Sequence, residues 1–308
     1  GCAARLRSPV EWSAHPQGQS IGGTALFVLT LTPAPTPALP DVTAAVSSRP
    51  LAGLRVLDLT RVIAGPIGTR LLAAYGADVL RVDPPGFQEV GALLCDITAG
   101  KRRAALNLKQ AEDRAQLVRL VREADMIVHG YRNGALSALG LGNAALREHN
   151  PSAVIVCHDA YGWSGPWAER RGFDSLVQMS CGIAWRGREL AGTGKPTPLP
   201  AQALDHATGY LIAAAVCRGL TRRVQTGDTS LVRLSLARSA RLLIELGDLG
   251  VITGEAASPA AVQTWLEEAD SAFGRVQRVR CPGQIEGATP AWHIPAGPLG
   301  VDPARFSA

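Results

Sequence analysis

The sequence lacks the features that mark several large classes of protein. Its six cysteines include no CxxC pair, and its histidines show no spacing typical of metal ligands. No apolar run reaches the roughly 18 residues that a membrane-spanning helix needs. Charged residues make up only 19% of the chain, and the net charge of +5 is scattered along it. We therefore expect a cytoplasmic globular protein with reduced thiols, no metal, and no nucleic-acid or membrane partner.

Short strands and helices alternate through the middle of the chain. β-rich runs predict strands at 54–59, 79–82, 104–108, 126–129, 153–157 and 231–234. Apolar periodicity and helix-start signals predict helices over 64–75, 110–124, 143–149, 174–181, 204 onward and 236–248. This alternation with short links is typical of an α/β fold, in which helices cover both faces of a parallel sheet.

The composition and periodicity of the sequence change near both ends. Residues 1–49 end in a run rich in proline, which predicts an N-terminal appendage and a stiff linker. Residues 50–248 carry the alternating pattern and form the predicted large domain. Residues 249–308 show little periodicity and much Gly and Pro, so we expect an irregular C-terminal segment packed on the large domain.

The first strand–turn–helix unit is a natural ligand site, because backbone N–H groups at a helix start attract phosphate. Its turn, residues 61–68, lacks the G-x-G-x-x-G pattern of nicotinamide-binding proteins, and Pro66 removes one amide donor. Two interpretations stay open here: a site for a phosphate-bearing nucleotide, or an ordinary helix start with close packing.

Asp205 stands directly before a long apolar stretch and also has two interpretations. Aspartate is a preferred helix N-cap, so its role could be purely structural. Alternatively, the carboxylate is a nucleophile that the positive end of the helix holds in its anionic form. The two roles are compatible, since one oxygen suffices for capping.

Other polar residues give weaker signals. Three histidines could act as bases or serve as structural residues: His129, His158 and His206. Ser164 is not in a G-x-S-x-G sequence, so a hydrolase elbow is unsupported. The basic clusters at 101–103 and 170–171 are expected to be solvated surface, with anchoring of an anionic tail as the alternative.

Several short motifs, in their order and spacing, resemble those of the class III CoA-transferase family (CaiB–BaiF type), which includes formyl-CoA transferases and α-methylacyl-CoA racemases. These motifs are Leu57-Asp58-Leu59-Thr60 with Ala64-Gly65-Pro66, Tyr75-Gly76-Ala77-Asp78-Val79, Gly100-Lys101-Arg102, Tyr131-Arg132-Asn133-Gly134, and Gly172-Phe173-Asp174 with Gln178. The match spans roughly residues 50–240.

The resemblance implies a Rossmann-like large domain, coenzyme A as bound carrier, a homodimer, and transfer of CoA from an acyl-CoA to a carboxylic acid. It implies that Asp205 is the nucleophile and forms an aspartyl-CoA thioester. The positions that match CoA contacts of the family are Val62, Ala64, Leu106, Lys109, Tyr131, Arg171 and Leu236.

The chain also departs from the family pattern. Transferases often have Asn where Gly130 stands, and Phe173 replaces the catalytic His of the racemases, so we expect no two-base racemisation. Beyond about residue 245 we expect little of the small second domain of the family. The alternative hypothesis is therefore a non-catalytic relative that binds CoA or a partner. A nucleotide-dependent oxidoreductase is disfavoured by the missing glycine pattern.

Overall fold

A seven-stranded sheet organises the chain. The computed structural model describes residues 3–35, 49–247 and 258–307. The strands of the sheet are, in chain order, β1 (Val28–Pro33), β2 (Arg55–Leu59), β3 (Asp78–Asp83), β4 (Lys101–Ala105), β5 (Met126–His129), β6 (Val154–Asp159) and β7 (Asp228–Ser235). Their spatial order is β1-β7-β6-β5-β2-β3-β4, and all neighbours are parallel except β1 and β7. The predicted α/β class is thereby confirmed.

Helices cover both faces of the sheet. In chain order they are α1 (Pro9–Ala14), α2 (Pro16–Gly22), α3 (Ala64–Ala74), α4 (Gly91–Ile97), α5 (Ala111–Glu123), α6 (Asn143–His149), α7 (Asp174–Ser180), α8 (Ile183–Ala191), α9 (Ala203–Thr226), α10 (Leu236–Glu245) and α11 (Pro259–Gln263), with a 3-10 turn at Ser137–Leu139. Because side chains alternate along a strand, Val56 faces α3 and α9 whereas Leu57 faces α5 and α6. Two apolar cores result, one on each face.

Strand β4 differs from its predicted position by three residues. Residues 104–108 are the more apolar run, but the strand is Lys101–Ala105. Lys101 is fully buried, and its Nζ lies 2.9 Å from Asp58 Oδ2 and donates to the Pro66 carbonyl. The expectation that this basic cluster is solvated surface is wrong for Lys101. Its charge is neutralised by a residue 43 positions away, which no local pattern reveals.

The two terminal regions contact the sheet at opposite edges. β1 pairs with β7, so part of the predicted appendage lies in the main sheet. At the other edge, the Asp302 N–H donates to the Arg103 carbonyl of β4, and the Asp302 carboxylate accepts from the Arg103 N–H. Within the described part of 249–308, β8 (Leu266–Ser271) and β9 (Gly274–Val279) form an antiparallel pair. The division of the chain at residues 49 and 248 stays a prediction.

Helices α3 and α9 approach each other through glycines. A Cβ atom at Gly68 would lie 2.7 Å from the Gly209 carbonyl oxygen, and one at Gly209 would lie 2.7 Å from the Ala64 carbonyl oxygen. No larger residue fits either position without a shift of backbone. This contact brings the first turns of the two helices together, which places Asp205 beside the turn after β2.

Candidate active site

A cleft of about 160 Å³ opens where the carboxyl ends of the central strands meet. Ligands of open α/β sheets bind at this edge, where the strand order reverses. Here the reversal lies between β2 and β5, which are neighbours in space but not in sequence. The cleft is lined by Leu59, Arg61, Val62, Ile63, Ala64, Gly130, Tyr131, His158, Asp159, Ala160, Gly172, Phe173, Asp205 and Leu236.

Asp205 is the third residue of α9, and another residue caps that helix. The N-cap position is Gln202, whose side chain makes no capping bond. Instead, Asp174 Oδ2 accepts a hydrogen bond from the Asp205 backbone N–H at 2.9 Å. Gln178 donates to the other Asp174 oxygen and accepts from the Leu199 N–H, which holds the loop before α9. Asp174 therefore has the capping role that we considered for Asp205. The Asp205 carboxyl group takes no part in capping and lines the cleft.

The electrostatic environment of Asp205 opposes its ionisation. Its side chain is 8% exposed, and the described residues supply no hydrogen-bond donor and no cation to the carboxylate. Burial and the neighbouring Asp174 together raise the pKa of Asp205 to about 7. Both effects favour the neutral carboxylic acid, in the opposite direction to the helix dipole that we expected to hold this group anionic.

The turn that faces Asp205 is held in a strained conformation. Val62 has φ = 65°, a left-handed value that costs a β-branched residue about 1–3 kcal/mol. Its N–H donates to Glu89 Oε2 at 2.9 Å, and Glu89 is in turn paired with the buried Arg81 at 3.2 Å. Arg81 of β3 thus fixes Glu89, and Glu89 fixes the backbone of this turn at the wall of the cleft.

Tyr131 forms the next part of the wall. Its hydroxyl accepts a hydrogen bond from Arg61 Nη2 at 3.1 Å, and the Arg61 guanidinium lies 5.2 Å from the Tyr131 ring centroid. The guanidinium also lies 3.7 Å from Asp83 and over the Phe87 ring. Arg61 and Glu89 were missed in the sequence, since each acts through contacts with distant residues.

His158 and Asp159, at the end of β6, also face the cleft. Asp159 Oδ1 accepts from the Gly162 N–H at 2.7 Å, whereas its Oδ2 is buried without a partner. His158 Nε2 is likewise buried and unpartnered. Burial raises the pKa of Asp159 to about 7 and lowers the pKa of His158 to about 4. The sequence had already indicated His158 as a possible base, whereas Asp159 was missed; its position at a strand end is the signal that could have identified it.

Comparison with known proteins assigns the family. The family model described as CoA-transferase family III matches residues 51–259. The chain belongs to this family. It is 34% identical over 238 residues to the acetyl-coenzyme A transferase of Hypoxylon pulicicidum, covering 74% of this chain and 40% of that protein.

Two further relatives add detail. Succinate–glutarate CoA-transferase of Agrobacterium fabrum is 30% identical over 209 residues, which cover 61% of this chain and 51% of that protein. The crystal structure of Rv3272 from Mycobacterium tuberculosis shares the fold, with a TM-score of 0.68 and 21% identity over 82% of this chain and 97% of that chain. The chain thus spans about half or less of the length of the two curated transferases, from Hypoxylon pulicicidum and Agrobacterium fabrum.

The predicted site residues of this family III chain fall into two groups. Five of them line the cleft: Val62, Ala64, Tyr131, Asp205 and Leu236. Leu106 is buried in the core beside α5, while Lys109 and Arg171 are exposed and do not line the cleft. Their roles as CoA contacts stay predictions.

The other polar candidates lie elsewhere in the chain. His129 is buried and bonded to Asn143, and burial lowers its pKa to about 4. His206 does not line the cleft, and Ser164 is hydrogen-bonded to Ser20. The described residues contain no cluster of three or more His, Cys, Asp or Glu placed to hold a metal. Of the helices in the described ranges, none has the length and apolar character to cross a bilayer.

Proposed function

We propose that the chain transfers CoA from an acyl-CoA to a carboxylic acid, with Asp205 as the covalent nucleophile. The observation that carries the proposal is the Asp205 carboxyl group itself. It is buried, faces the cleft, and has no cation or hydrogen-bond donor among the described residues to reduce its basicity. A carboxylate with a raised pKa is a stronger nucleophile than a solvated one once it is deprotonated.

The proposed chemistry proceeds through covalent exchange at Asp205. One Asp205 oxygen attacks the thioester carbon of the acyl-CoA, the C–S bond breaks, and a mixed anhydride and CoA thiolate result. The thiolate then attacks the Asp205 carbonyl carbon, which releases the donor acid and leaves an aspartyl-CoA thioester. The acceptor acid attacks this thioester, and the same two steps in reverse return a new acyl-CoA and free Asp205.

The neighbouring residues support transfer over racemisation. Phe173 lines the cleft at the position where racemases of the family have their catalytic histidine, and its ring has no proton to exchange. The cleft is also small: its volume of about 160 Å³ suits a short acyl group, with the remainder of CoA outside it. The names of the family relatives, which include transferases acting on succinate and glutarate, support the same class of acid.

The direct test is capture of the covalent intermediate. The protein is incubated with succinyl-CoA and digested, and the peptide that carries Asp205 is analysed by mass spectrometry. We expect a CoA adduct on Asp205 in the native protein and none in Asp205→Ala, together with a fall in kcat of about 10³-fold or more. His206→Ala is the control, since this adjacent residue lies outside the cleft and should leave the adduct unchanged.

The same experiment separates the two hypotheses. Binding of CoA in calorimetry without any adduct or consumption of succinyl-CoA would favour the non-catalytic relative. Turnover that survives in Asp205→Ala would reject the covalent mechanism. On the family resemblance we further propose a cytoplasmic location and a homodimer. Light scattering after size-exclusion chromatography would test the dimer.

A further inference from the structure

The turn between β2 and α3 depends on a side chain that lies outside the cleft. Val62 in this turn lines the cleft and has φ = 65°, a value that is rare for β-branched residues. Its N–H donates to Glu89 Oε2 at 2.9 Å, whereas Glu89 itself does not line the cleft. A backbone outlier persists only where the surrounding structure holds it, so the contact with Glu89 is a cause of this conformation.

Glu89 is itself firmly held. It follows β3 in the chain and precedes α4, and its side chain is only 3% exposed. Its Oε2 also accepts from Arg81 Nη2 at 3.2 Å, and its Oε1 accepts from the Val90 N–H at 3.3 Å. Arg81 is fully buried on β3, the strand next to β2 in the sheet. The acceptor for the Val62 N–H is therefore anchored to the central sheet.

Arg81 has a carboxylate partner apart from Glu89. Its Nε and Nη2 donate to the two carboxylate oxygens of Asp83, at 2.8 and 3.2 Å. Asp58 is a further negative charge that acts on the same guanidinium. The positive charge of Arg81 is therefore compensated without Glu89, and the distinctive contact of Glu89 is its bond to the Val62 N–H.

We propose that Glu89 is a positioning residue, which holds Val62 in its left-handed conformation and thereby fixes the cleft wall that faces Asp205. The inference rests on the proposed function, because the wall positions a substrate that reacts at Asp205. Glu89 touches neither the substrate nor the reacting atoms, and it undergoes no covalent change. Without its oxygen the turn relaxes to a negative φ, and the wall moves relative to Asp205.

The test measures the rate of CoA-adduct formation on Asp205 at saturating succinyl-CoA. Glu89→Met removes the acceptor but keeps the length of the side chain, and we expect the rate to fall about tenfold or more. Glu89→Gln can place its amide oxygen at the Oε2 position, where it accepts from both Val62 and Arg81, and should keep about a third or more of the native rate. Glu148→Ala, which removes an exposed carboxylate from α6, is the control and should leave the rate unchanged.

A second background separates positioning from a merely structural role. Glycine adopts a positive φ about as readily as a negative one, so Val62→Gly removes the need for Glu89. Within the Val62→Gly protein, Glu89→Met should lower the rate by less than about threefold. Any effect of the lost Val62 side chain on the cleft cancels, because both rates are measured in the same background. If Glu89 served only to neutralise Arg81, its loss would have the same effect in both backgrounds.

The outcomes are distinguishable. An equal loss of rate in the two backgrounds, or a native rate in Glu89→Met, would overturn the positioning role. Folding of Glu89→Met only in combination with Val62→Gly would support it, and failure of both proteins to fold would overturn it.

Crystal structures of the two Glu89→Met proteins provide a readout that does not depend on activity. We expect a negative φ at position 62 in the protein that retains Val62 and a positive φ in the protein with Val62→Gly. A positive φ in both would overturn the positioning role. Absence of an adduct in the native protein would instead overturn the proposed function, while the two φ values would still decide whether Glu89 holds the turn.

Discussion

The carboxyl group of Asp205 combines two roles that oppose each other energetically. A buried carboxylate next to Asp174 destabilises the folded protein whenever it is ionised, yet the ionised form is the nucleophile. Residues of this kind are typical of functional sites, where local instability is tolerated because the remaining structure compensates for it. The stability of the protein should therefore report on Asp205 independently of any activity measurement.

We predict that Asp205 destabilises the folded protein increasingly as the pH rises from about 4 to about 7, against an opposite contribution from the buried His129 and His158, whose pKa values are lowered to about 4. The pKa of Asp205 is about 7 in the folded protein and near 3.8 when unfolded. Within this range the folded protein keeps a proton that the unfolded chain has lost, so the contribution is complete below pH 4 and is lost by pH 7. Asp205→Asn should remove this contribution and, at pH 8, raise the free energy of unfolding by roughly 1–4 kcal/mol.

Urea denaturation at pH 5 and pH 8 checks this prediction. The native protein and Asp205→Asn are compared at each pH, because Asp159, His129 and His158 contribute the same pH dependence to both proteins. Glu123→Gln replaces an exposed carboxylate in the last turn of α5 and serves as the control, with an unchanged slope. An Asp205→Asn protein that is less stable than the native protein at pH 8 would contradict the assigned environment of this residue.

At the scale of elements, the contact between α3 and α9 sets the width of the cleft. Each helix contributes one glycine, Gly68 or Gly209, and the backbones touch where a methyl group would collide. Asp205 lies one turn before Gly209, and Val62 lies two residues before α3 begins. The close approach at these glycines therefore contributes to the distance between the nucleophile and the facing turn.

We predict that Gly209→Ala destabilises the protein although alanine favours helices. The gain in helix propensity is about 1 kcal/mol, whereas a Cβ atom 2.7 Å from the Ala64 carbonyl oxygen forces the helices apart and costs about 1–3 kcal/mol. A net loss in melting temperature and a smaller stabilisation by CoA should follow. Gly91→Ala in α4 is the control, since nothing lies within 4 Å of its added Cβ. Greater thermal stability of Gly209→Ala would show that the contact is not tight.

At the scale of the whole molecule, the N-terminal segment supports the loop beside the cleft. Gln17 of α2 is fully buried, and its amide group donates to the carbonyls of Tyr161 and Ser164 at 2.8 Å each. The Gln17 carbonyl oxygen accepts from the Trp167 N–H at 2.7 Å. A residue near the start of the chain thus fixes a loop about 150 positions away, which joins β6 to the cleft wall at Gly172.

We predict that Gln17→Ala destabilises the protein by about 2–4 kcal/mol, because one buried and two partly buried backbone groups lose their partner. Limited proteolysis should then cut the 161–167 loop at least tenfold faster than in the native protein. Gln19→Ala, which removes an exposed glutamine from the same helix, should change neither quantity. Equal proteolysis of the two variants would mean that the loop holds its conformation without the N-terminal segment.

Much of the fold follows from local sequence patterns. The apolar runs predicted β2, β3, β5, β6 and β7 within a few residues, because strands covered on both faces of the sheet are nearly continuously apolar. The predicted position of β4 was three residues too late along the chain. Lys101 and Arg103 are charged, and only their ion pairs with Asp58 and Asp302 make it possible to bury them in a strand. β1 was missed, since its residues are largely exposed and its pairing with β7 joins parts of the chain about 200 positions apart.

The sequence by itself established the α/β class, the resemblance to CoA-transferases, and Asp205 at the start of a long helix. These properties depend on neighbours along the chain, which a pattern can record. The capping by Asp174, the raised pKa of Asp205 and the unpartnered atoms of His158 and Asp159 depend on groups from separate strands and helices. Burial and electrostatic coupling act through space, so they became visible only once the chain was folded.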